Sequence, residues 1–252
     1  MRIKFIIPFP FDEEGIANRA AQIPDALLGP DTEVECVPVR NSATLVDCYY
    51  EDLVFDMYIA EAGLRAEEEG YDAVIMDTVS DSGMYALRSR LSIPVIGPGL
   101  VSYAVATILG KKFSIVTMWD KWIHLYEKNL DTYRLWEKCA SIRAVDIPPD
   151  VEALFEGKEE EMFARLTDEA QRAIDEDGAG VILLGSTTMH QAGDYMAEHL
   201  PAPVINPGPV AIKITETLVE LGLTHSKVDF PSPSTIIDDR FFSLASAGAE
   251  VI

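Results

Sequence analysis

The chain contains one sequence motif twice, and this internal duplication limits the folds that it can adopt. The first copy, Glu68–Thr78, and the second, Glu176–Ser186, each run from acidic residues through a glycine into a short apolar stretch that ends on a hydroxyl residue. A matching segment follows each copy, Pro94–Gly99 after the first and Pro203–Gly208 after the second. Two similar halves predict two lobes related by an approximate twofold axis, with the two terminal hydroxyls facing each other across a cleft.

Short apolar runs alternate with longer segments of helical periodicity, which is typical of a parallel sheet built from strand–helix–strand units. The predicted strands are Ile3–Ile7, Val34–Val39, Ala73–Met76, Pro94–Ile96, Phe113–Thr117, Ser141–Val145, Val181–Leu184 and Pro203–Ile205. The predicted helices are Glu51–Glu69, Ser102–Leu109, Trp119–Trp136, Met162–Ile174 and Val210–Leu221. The segment from Pro231 onward is expected to be a tail packed on the surface or on a partner subunit.

These elements predict an α/β fold with two pseudo-symmetric lobes, each a mainly parallel sheet flanked by helices, and an active-site cleft between them. Residues 1–105 and 210–252 are expected to form the first lobe, and residues 106–209 the second. The acidic helices, among them Glu51–Glu69, are interpreted as solvated faces.

Charge and hydropathy restrict the possible partners. The net charge of −22 disfavours nucleic acid and anionic membrane surfaces, where lysine and arginine must replace counterions. No stretch approaches the ~20 consecutive apolar residues of a membrane span. We therefore expect no nucleic-acid or membrane partner.

Cysteine and histidine are sparse and dispersed. The three cysteines show no Cys-x-x-Cys spacing, so neither a disulfide framework nor a zinc site is indicated. The four histidines form no recognisable ligand pattern either. We expect no metal, and a reducing, cytoplasmic location.

In parallel α/β sheets, functional residues gather where strands end and helices begin. Two such junctions, Met76–Gly83 and Leu184–His190, combine backbone N–H groups at the start of a helix with several hydroxyls. This combination predicts a site for a carboxylate or an enolate oxygen. Helix capping alone is the alternative, because Ser, Thr and Asp are favoured N-caps, but capping does not require hydroxyl residues at matching positions in both halves.

At these junctions the sequence resembles the Asp/Glu/hydantoin racemase superfamily. Members carry a cysteine at each of two strand ends, in stretches similar to Cys-Phe-Gly-Asp-Pro-Gly and Gly-Cys-Ala-Gly-Met, where this chain has Thr78–Gly83 and Gly185–Met189. The segments Ile93–Gly97, Ala202–Ile205 and Lys112–Thr117 also resemble family strands. The resemblance, with hydantoin and allantoin racemases among the members, implies two pseudo-symmetric α/β lobes, no cofactor, a small carboxylate or cyclic amide as substrate, and a homo-oligomer.

The chain departs from the family at both cysteines. In the family, one thiolate removes a proton from carbon and the other thiol delivers one to the opposite face. A thiol has a pKa of ~8.5 and can be tuned towards neutrality, whereas an alcohol needs a dedicated base. Thr78 and Ser186 therefore exclude the two-thiol mechanism. The N-terminal strand also differs, because Ile7–Pro10 replaces a polar Asn-Pro-Asn-Thr segment with an apolar wall.

Other side chains must then move the proton. Thr78 and Ser186, with neighbouring backbone amides, are expected to stabilise an enediolate-like oxyanion. Asp77 directly precedes Thr78 and is a candidate acid or base, with a structural partner of backbone or lysine as the alternative. His190 lies four positions after Ser186 and is a second candidate, with a surface or capping role as the alternative.

The remaining predicted substrate contacts are Pro8, Phe9, Val79, Ser80, Asp81, Thr117, Trp119, Thr187 and Thr188. Asp81 has a loop brace or N-cap as its alternative role, and Trp119 a place in the core or an interface.

Three functions remain open. The first is a cofactor-independent isomerase or racemase that acts at the carbon next to a carbonyl or carboxylate. The second is a lyase similar to arylmalonate decarboxylase, a superfamily member that keeps one cysteine. The third is a binding protein that kept the cleft without catalysis.

Overall fold

The computed structural model describes residues 1–148 and 160–249, except for the side chains of residues 160, 161, 190 and 249. The strands are β1 Arg2–Ile7, β2 Glu33–Pro38, β3 Ala73–Met76, β4 Val95–Ile96, β5 Phe113–Thr117, β6 Cys139–Ala144, β7 Val181–Leu184 and β8 Val204–Ile205. The helices are α1 Glu13–Ala21, α2 Tyr49–Gly63, α3 Met84–Arg90, α4 Pro98–Leu109, α5 Ile123–Tyr133, α6 Glu160–Asp177, α7 His190–His199, α8 Pro207–Glu220 and α9 Asp238–Ala249.

The strands form two four-stranded sheets that share one topology. The first sheet has the order β2-β1-β3-β4 and the second β6-β5-β7-β8. Every neighbouring pair is parallel, because helical crossovers return the chain to the same edge each time. The predicted α/β fold with two mainly parallel sheets is confirmed.

The chain divides into two compact units. Unit 1 comprises Met1–Gly97 and Ala211–Ile252, and unit 2 comprises Pro98–Val210. From the sequence the first boundary is predicted after residue 105, whereas α4 belongs as a whole to unit 2. The reason is packing, since α4 contacts β7 and α5.

The central strands of both sheets are covered on both faces. All residues of β3 and of β7 are buried, which is why both segments are continuous apolar runs without polar alternation. The residue after each strand makes the same backbone hydrogen bond: the N–H of Asp77 donates to Ile6 at 2.8 Å, and that of Gly185 donates to Val116 at 2.9 Å. The two motif copies therefore leave their sheets in the same way.

Two helices lie where the sequence analysis expects none. Helix α1 begins after Asp12, whose side chain accepts a hydrogen bond from the N–H of Gly15 at 2.9 Å. Helix α9 lies in the expected C-terminal tail, packs on α2 and buries Ala245. The helical form of this segment was not predicted, and one apolar side of α9 is covered by another helix.

Helix α2 also differs from its prediction as a solvated helix. Asp52 and Glu61 are buried on it, since it packs on α3, on β1 and on α9. None of the helices in the described part of the chain is long and apolar enough to span a membrane.

Candidate functional site

The loop after β3 carries a continuous row of hydrogen-bonded hydroxyls. Thr78 Oγ1 lies 2.9 Å from Ser80 Oγ, and Ser80 Oγ lies 2.8 Å from Ser82 Oγ. The N–H of Ser80 also donates to Thr78 Oγ1, at 3.3 Å. At the far end, Ser82 donates to Oδ1 of Asp52 on α2, at 3.4 Å. The predicted contacts Thr78 and Ser80 are thus joined to a carboxylate that the sequence analysis does not single out.

The loop after β7 repeats the first part of this arrangement. Ser186 Oγ lies 2.9 Å from Thr188 Oγ1, and the N–H of Thr188 donates to Ser186 Oγ at 3.3 Å. These distances equal those between Thr78 and Ser80. The two motif copies therefore fold into the same local hydroxyl pair, with half-buried members at Thr78, Ser186 and Thr188.

The residue between the paired hydroxyls is buried in each loop. Val79 is 2% exposed and Thr187 is 3% exposed. The side chains of both residues are therefore not at the surface, and the part of their backbone amides in substrate binding stays a prediction.

Helix α2 holds the first loop in place. Asp56, one turn after Asp52, accepts a hydrogen bond from the N–H of Gly83 at 2.8 Å. Gly83 has φ +75°, and a Cβ there would lie 3.0 Å from the backbone nitrogen of Ala60. Only glycine lets the loop backbone come this close to α2 without strain. The close contact places the end of the hydroxyl row beside α2.

Asp77 forms a buried ion pair with Arg19 of α1. Arg19 Nε donates to Asp77 Oδ2 at 2.6 Å and Nη2 donates to Oδ1 at 2.8 Å, with side-chain exposures of 3% and 0%. Burial opposes the charge on Arg19, but the Asp77 carboxylate outweighs it and raises the pKa of the guanidinium. Because both oxygens of Asp77 are held by a permanent cation, the pairing favours the structural alternative over an acid–base role. The partner is an arginine of a helix that the sequence analysis missed.

The position that matches Asp77 in the second motif is Gly185, and packing explains the difference. A Cβ at Gly185 would lie 2.5 Å from the Tyr126 hydroxyl oxygen and 2.7 Å from Thr117 Cβ. Tyr126 donates to the carbonyl of Gly185 at 2.7 Å, and its oxygen lies 2.8 Å from Thr117 Oγ1. The asymmetry therefore has a cause in the core of unit 2.

We expect Gly185→Ala to lower the free energy of unfolding by about 1–3 kcal/mol, because an added methyl group overpacks this site. Chemical denaturation of the wild type and the variant measures the change. Gly180→Ala is the control, since a Cβ there meets only the Lys112 carbonyl oxygen at 3.5 Å. Equal stability of the two variants would contradict the packing argument.

Two of the predicted substrate contacts, Thr117 and Trp119 of unit 2, are buried. Thr117 has no exposed surface and its hydroxyl is bonded to Tyr126, while Trp119 is 6% exposed and lies edge-on to Trp122. Both side chains pack inside unit 2, which favours the core alternative for Trp119.

The predicted apolar wall after β1 is an aromatic cluster. Phe9 is half-buried, with ring centroids 5.9 Å from Phe55 and 6.4 Å from Phe11. Pro8 is buried and its carbonyl accepts a hydrogen bond from Ser42 Oγ at 2.7 Å. Because β1 and β3 are parallel neighbours, this segment and the hydroxyl loop leave the same edge of the sheet.

The side chain of Asp81 lies against Gly97, and Asp81 is not the N-cap of α3. The N-cap is Gly83, which makes no side-chain capping bond. Asp81 has φ +55° and is buried, and a Cβ at Gly97 would lie 2.4 Å from Asp81 Oδ1. The residue after β4 must therefore be glycine, because a side chain at that position would clash with the Asp81 carboxylate.

His190 is the first residue of α7, and its side chain lies outside the described residues.

Two of the cysteines cannot act as thiolates at neutral pH in place of the thiols that family members carry at the positions of Thr78 and Ser186. Burial and the nearby Asp77 carboxylate raise the pKa of Cys36 to about 11, and burial raises the pKa of Cys139 to about 11. Across residues 1–148 and 160–249, no group of three or more His, Cys, Asp and Glu could hold a metal ion.

Comparison with known proteins identifies related sequences and structures. The family model for Asp/Glu/Hydantoin racemase matches residues 16–215, which include both hydroxyl loops. A hydantoin racemase from a Pseudomonas species is 30% identical over 198 residues, 79% of this chain and 78% of that protein.

The allantoin racemase structure from Klebsiella pneumoniae superposes with a TM-score of 0.83 at 29% identity, covering 94% of this chain and 95% of that one. Arylmalonate decarboxylase superposes with a TM-score of 0.59 at 18% identity, covering 87% and 92%, and shares the fold.

Proposed function

Because the chain belongs to the Asp/Glu/hydantoin racemase family, we propose that it is a cofactor-independent racemase that acts on 5-substituted hydantoins, allantoin included. The reaction exchanges the proton on the ring carbon next to a carbonyl. The observation that carries the proposal is the pair of equal hydroxyl arrangements, Thr78 with Ser80 and Ser186 with Thr188, at the ends of β3 and β7. By the resemblance, these are the positions at which family members carry the groups that move the proton.

In this proposal the hydroxyls and the backbone around them bind the substrate. Thr78 and Ser186 contact the reacting part of the ring, and the amides of Val79 and Thr187 stabilise the enolate oxygen that forms when the proton leaves. Pro8 and Phe9 supply an apolar surface for the substituent. Asp81 braces the loop, and Asp77 anchors it through Arg19.

His190 remains the proposed acid or base of the second motif. It occupies the place in the sequence that Ser82 occupies in the first motif, two residues after the paired hydroxyl. Imidazole is the only side chain whose ordinary pKa allows it to gain or lose a proton near neutral pH.

Decarboxylation is the less favoured alternative. The decarboxylase is similar at 18% identity, whereas the relatives at 29–30% identity are named as racemases. A binding protein without catalysis differs from both the racemase and the decarboxylase in that it would convert no substrate.

The experiment that tests the proposal is racemisation followed by circular dichroism. Enantiopure 5-benzylhydantoin and enantiopure allantoin are each incubated with the protein and with buffer alone. An arylmalonate is incubated in the same way and its carbon dioxide release is measured. We expect the signal of a hydantoin or of allantoin to decay to zero faster than in buffer, with unchanged chemical composition. Decay at the buffer rate for both compounds, or carbon dioxide release from the malonate, would contradict the proposal.

We also propose that the protein acts in the cytoplasm as a homo-oligomer. Its three cysteines are unpaired, as is usual in a reducing compartment. Several large apolar side chains of unit 1 are exposed, among them Leu221, Val228 and Ile236, and exposed apolar surface often marks a contact with another subunit. Analytical ultracentrifugation tests the assembly, and a single monomeric species would contradict it.

A further inference from the structure

The hydroxyl row of the first loop has a defined direction. Ser82 donates to the Asp52 carboxylate, so its own oxygen is left to accept the proton of Ser80, and Ser80 in turn accepts the proton of Thr78. Every hydroxyl proton then points towards Asp52. Thr78 consequently presents an oxygen lone pair, and not its proton, on the side away from the row.

The row also runs from a more exposed end to a buried one. Thr78 is half-buried, whereas Ser80, Ser82 and Asp52 are 3%, 1% and 6% exposed. The only hydroxyl of the row within easier reach of a small molecule is therefore that of Thr78. A carboxylate at the buried end is the group in the row with the highest affinity for a proton.

Helix α2 keeps this carboxylate in place. Asp52 lies in the first turn of α2, where a negative charge is stabilised by the helix dipole. One turn later, Asp56 accepts the N–H of Gly83. The two acids thus contact consecutive residues of the same loop, Asp52 through the hydroxyl of Ser82 and Asp56 through the N–H of Gly83.

We propose that Asp52 is the terminal proton acceptor of a relay formed by Thr78, Ser80 and Ser82, an inference that rests on the proposed racemase function. The substrate C–H proton passes to Thr78 Oγ1 as the Thr78 proton passes to Ser80 Oγ. The Ser80 proton passes to Ser82 Oγ, and the Ser82 proton to Asp52 Oδ1. The electron pair of the C–H bond remains on the substrate as an enolate, and the reverse transfers return a proton.

This relay supplies what the replacement of cysteine by threonine removes. An alcohol is a weak base by itself and requires a partner that takes its proton. Because each hydroxyl accepts one proton as it gives up another, no alkoxide accumulates, and the proton ends on a carboxylate. Asp52 does not touch the substrate and acts only through the three hydroxyls.

The experiment compares Asp52→Asn with Asp56→Asn in the racemisation of enantiopure 5-benzylhydantoin and allantoin. Asparagine keeps an oxygen that accepts the hydrogen bond from Ser82 or from Gly83, but it cannot take up a proton. We expect Asp52→Asn to lower kcat by about 100-fold or more, the size of a lost acid–base group, with KM unchanged. Asp56→Asn should retain the wild-type kcat, and thermal denaturation confirms that both variants are folded.

A second pair of variants decides the outcome if Asp52→Asn does not fold. Ser82→Ala interrupts the row and should lower kcat as Asp52→Asn does, whereas Ser82→Thr restores a hydroxyl and should recover most of it. Wild-type turnover in Asp52→Asn or in Ser82→Ala would overturn the relay, as would equal losses in Asp52→Asn and Asp56→Asn. A wild-type protein that is inactive on both substrates would overturn the proposed function, and the relay with it.

Discussion

Replacement of Arg19 by methionine is expected to lower the free energy of unfolding by about 3–5 kcal/mol, the cost of leaving a buried carboxylate without its partner. The side chain of Asp77 has no exposed surface, and both of its oxygens are held by Arg19. Methionine fills a similar volume over Phe5, whose ring centroid lies 5.2 Å from the guanidinium carbon, but it provides no charge. Urea denaturation followed by circular dichroism measures the loss.

Arg172→Met is the matched control for this prediction. Arg172 pairs with Glu169 and Glu176 on the surface of α6, and its side chain is 55% exposed. Exposed ion pairs contribute little to stability because solvent screens them, so the control should stay close to the wild type. If Arg19→Met costs no more than Arg172→Met, the ion pair does not anchor the loop.

Replacement of Thr78 or Ser186 by alanine is expected to lower kcat by about 100–1000-fold, the usual effect of removing a group that moves a proton or stabilises the transition state. Both hydroxyls lie at half-buried positions on loops whose backbone is fixed by the preceding strand. Stability should change little, since each variant loses two local hydrogen bonds at a half-buried site. Steady-state racemisation with both enantiomers measures the effect.

Thr132→Ala provides the comparison for these variants. Thr132 is exposed on α5 and its hydroxyl donates to the Lys128 carbonyl at 2.7 Å, so its loss should leave turnover at the wild-type value. Thr78→Ala and Ser186→Ala with turnover equal to that of Thr132→Ala would show that the strand-end hydroxyls take no part in the reaction.

The parallel sheets were predictable because their strands are buried on both faces, and such strands appear in sequence as unbroken apolar runs such as Ala73–Met76 and Val181–Leu184. Helix α1 was not predictable, because Glu13–Ala21 contains two glutamates, a glycine and an asparagine and shows no clear apolar stripe. The burial of Arg19, and with it the role of Asp77, depends on that helix. An ion pair between residues so far apart in sequence leaves no local pattern.

The burial of Asp52 was not predictable for a related reason. Acidic residues at the start of a helix are ordinarily solvated, and nothing in the segment Tyr49–Gly63 distinguishes Asp52 from Glu51. Its burial arises from the loop that ends at Gly83, which packs on α2 only in the folded chain. The difference between Asp77 and Gly185 can be read from the sequence, but its packing cause, the hydroxyl of Tyr126 against Gly185, cannot.

Proton NMR of enantiopure 5-benzylhydantoin and of allantoin in deuterated water, with the wild-type protein, is the most direct test of racemase activity. We expect the signal of the proton on the substituted ring carbon to disappear faster than in buffer, while the signals of the other carbon-bound protons stay and optical activity is lost. If that proton signal persists at the buffer rate for both compounds, the protein does not racemise hydantoins or allantoin.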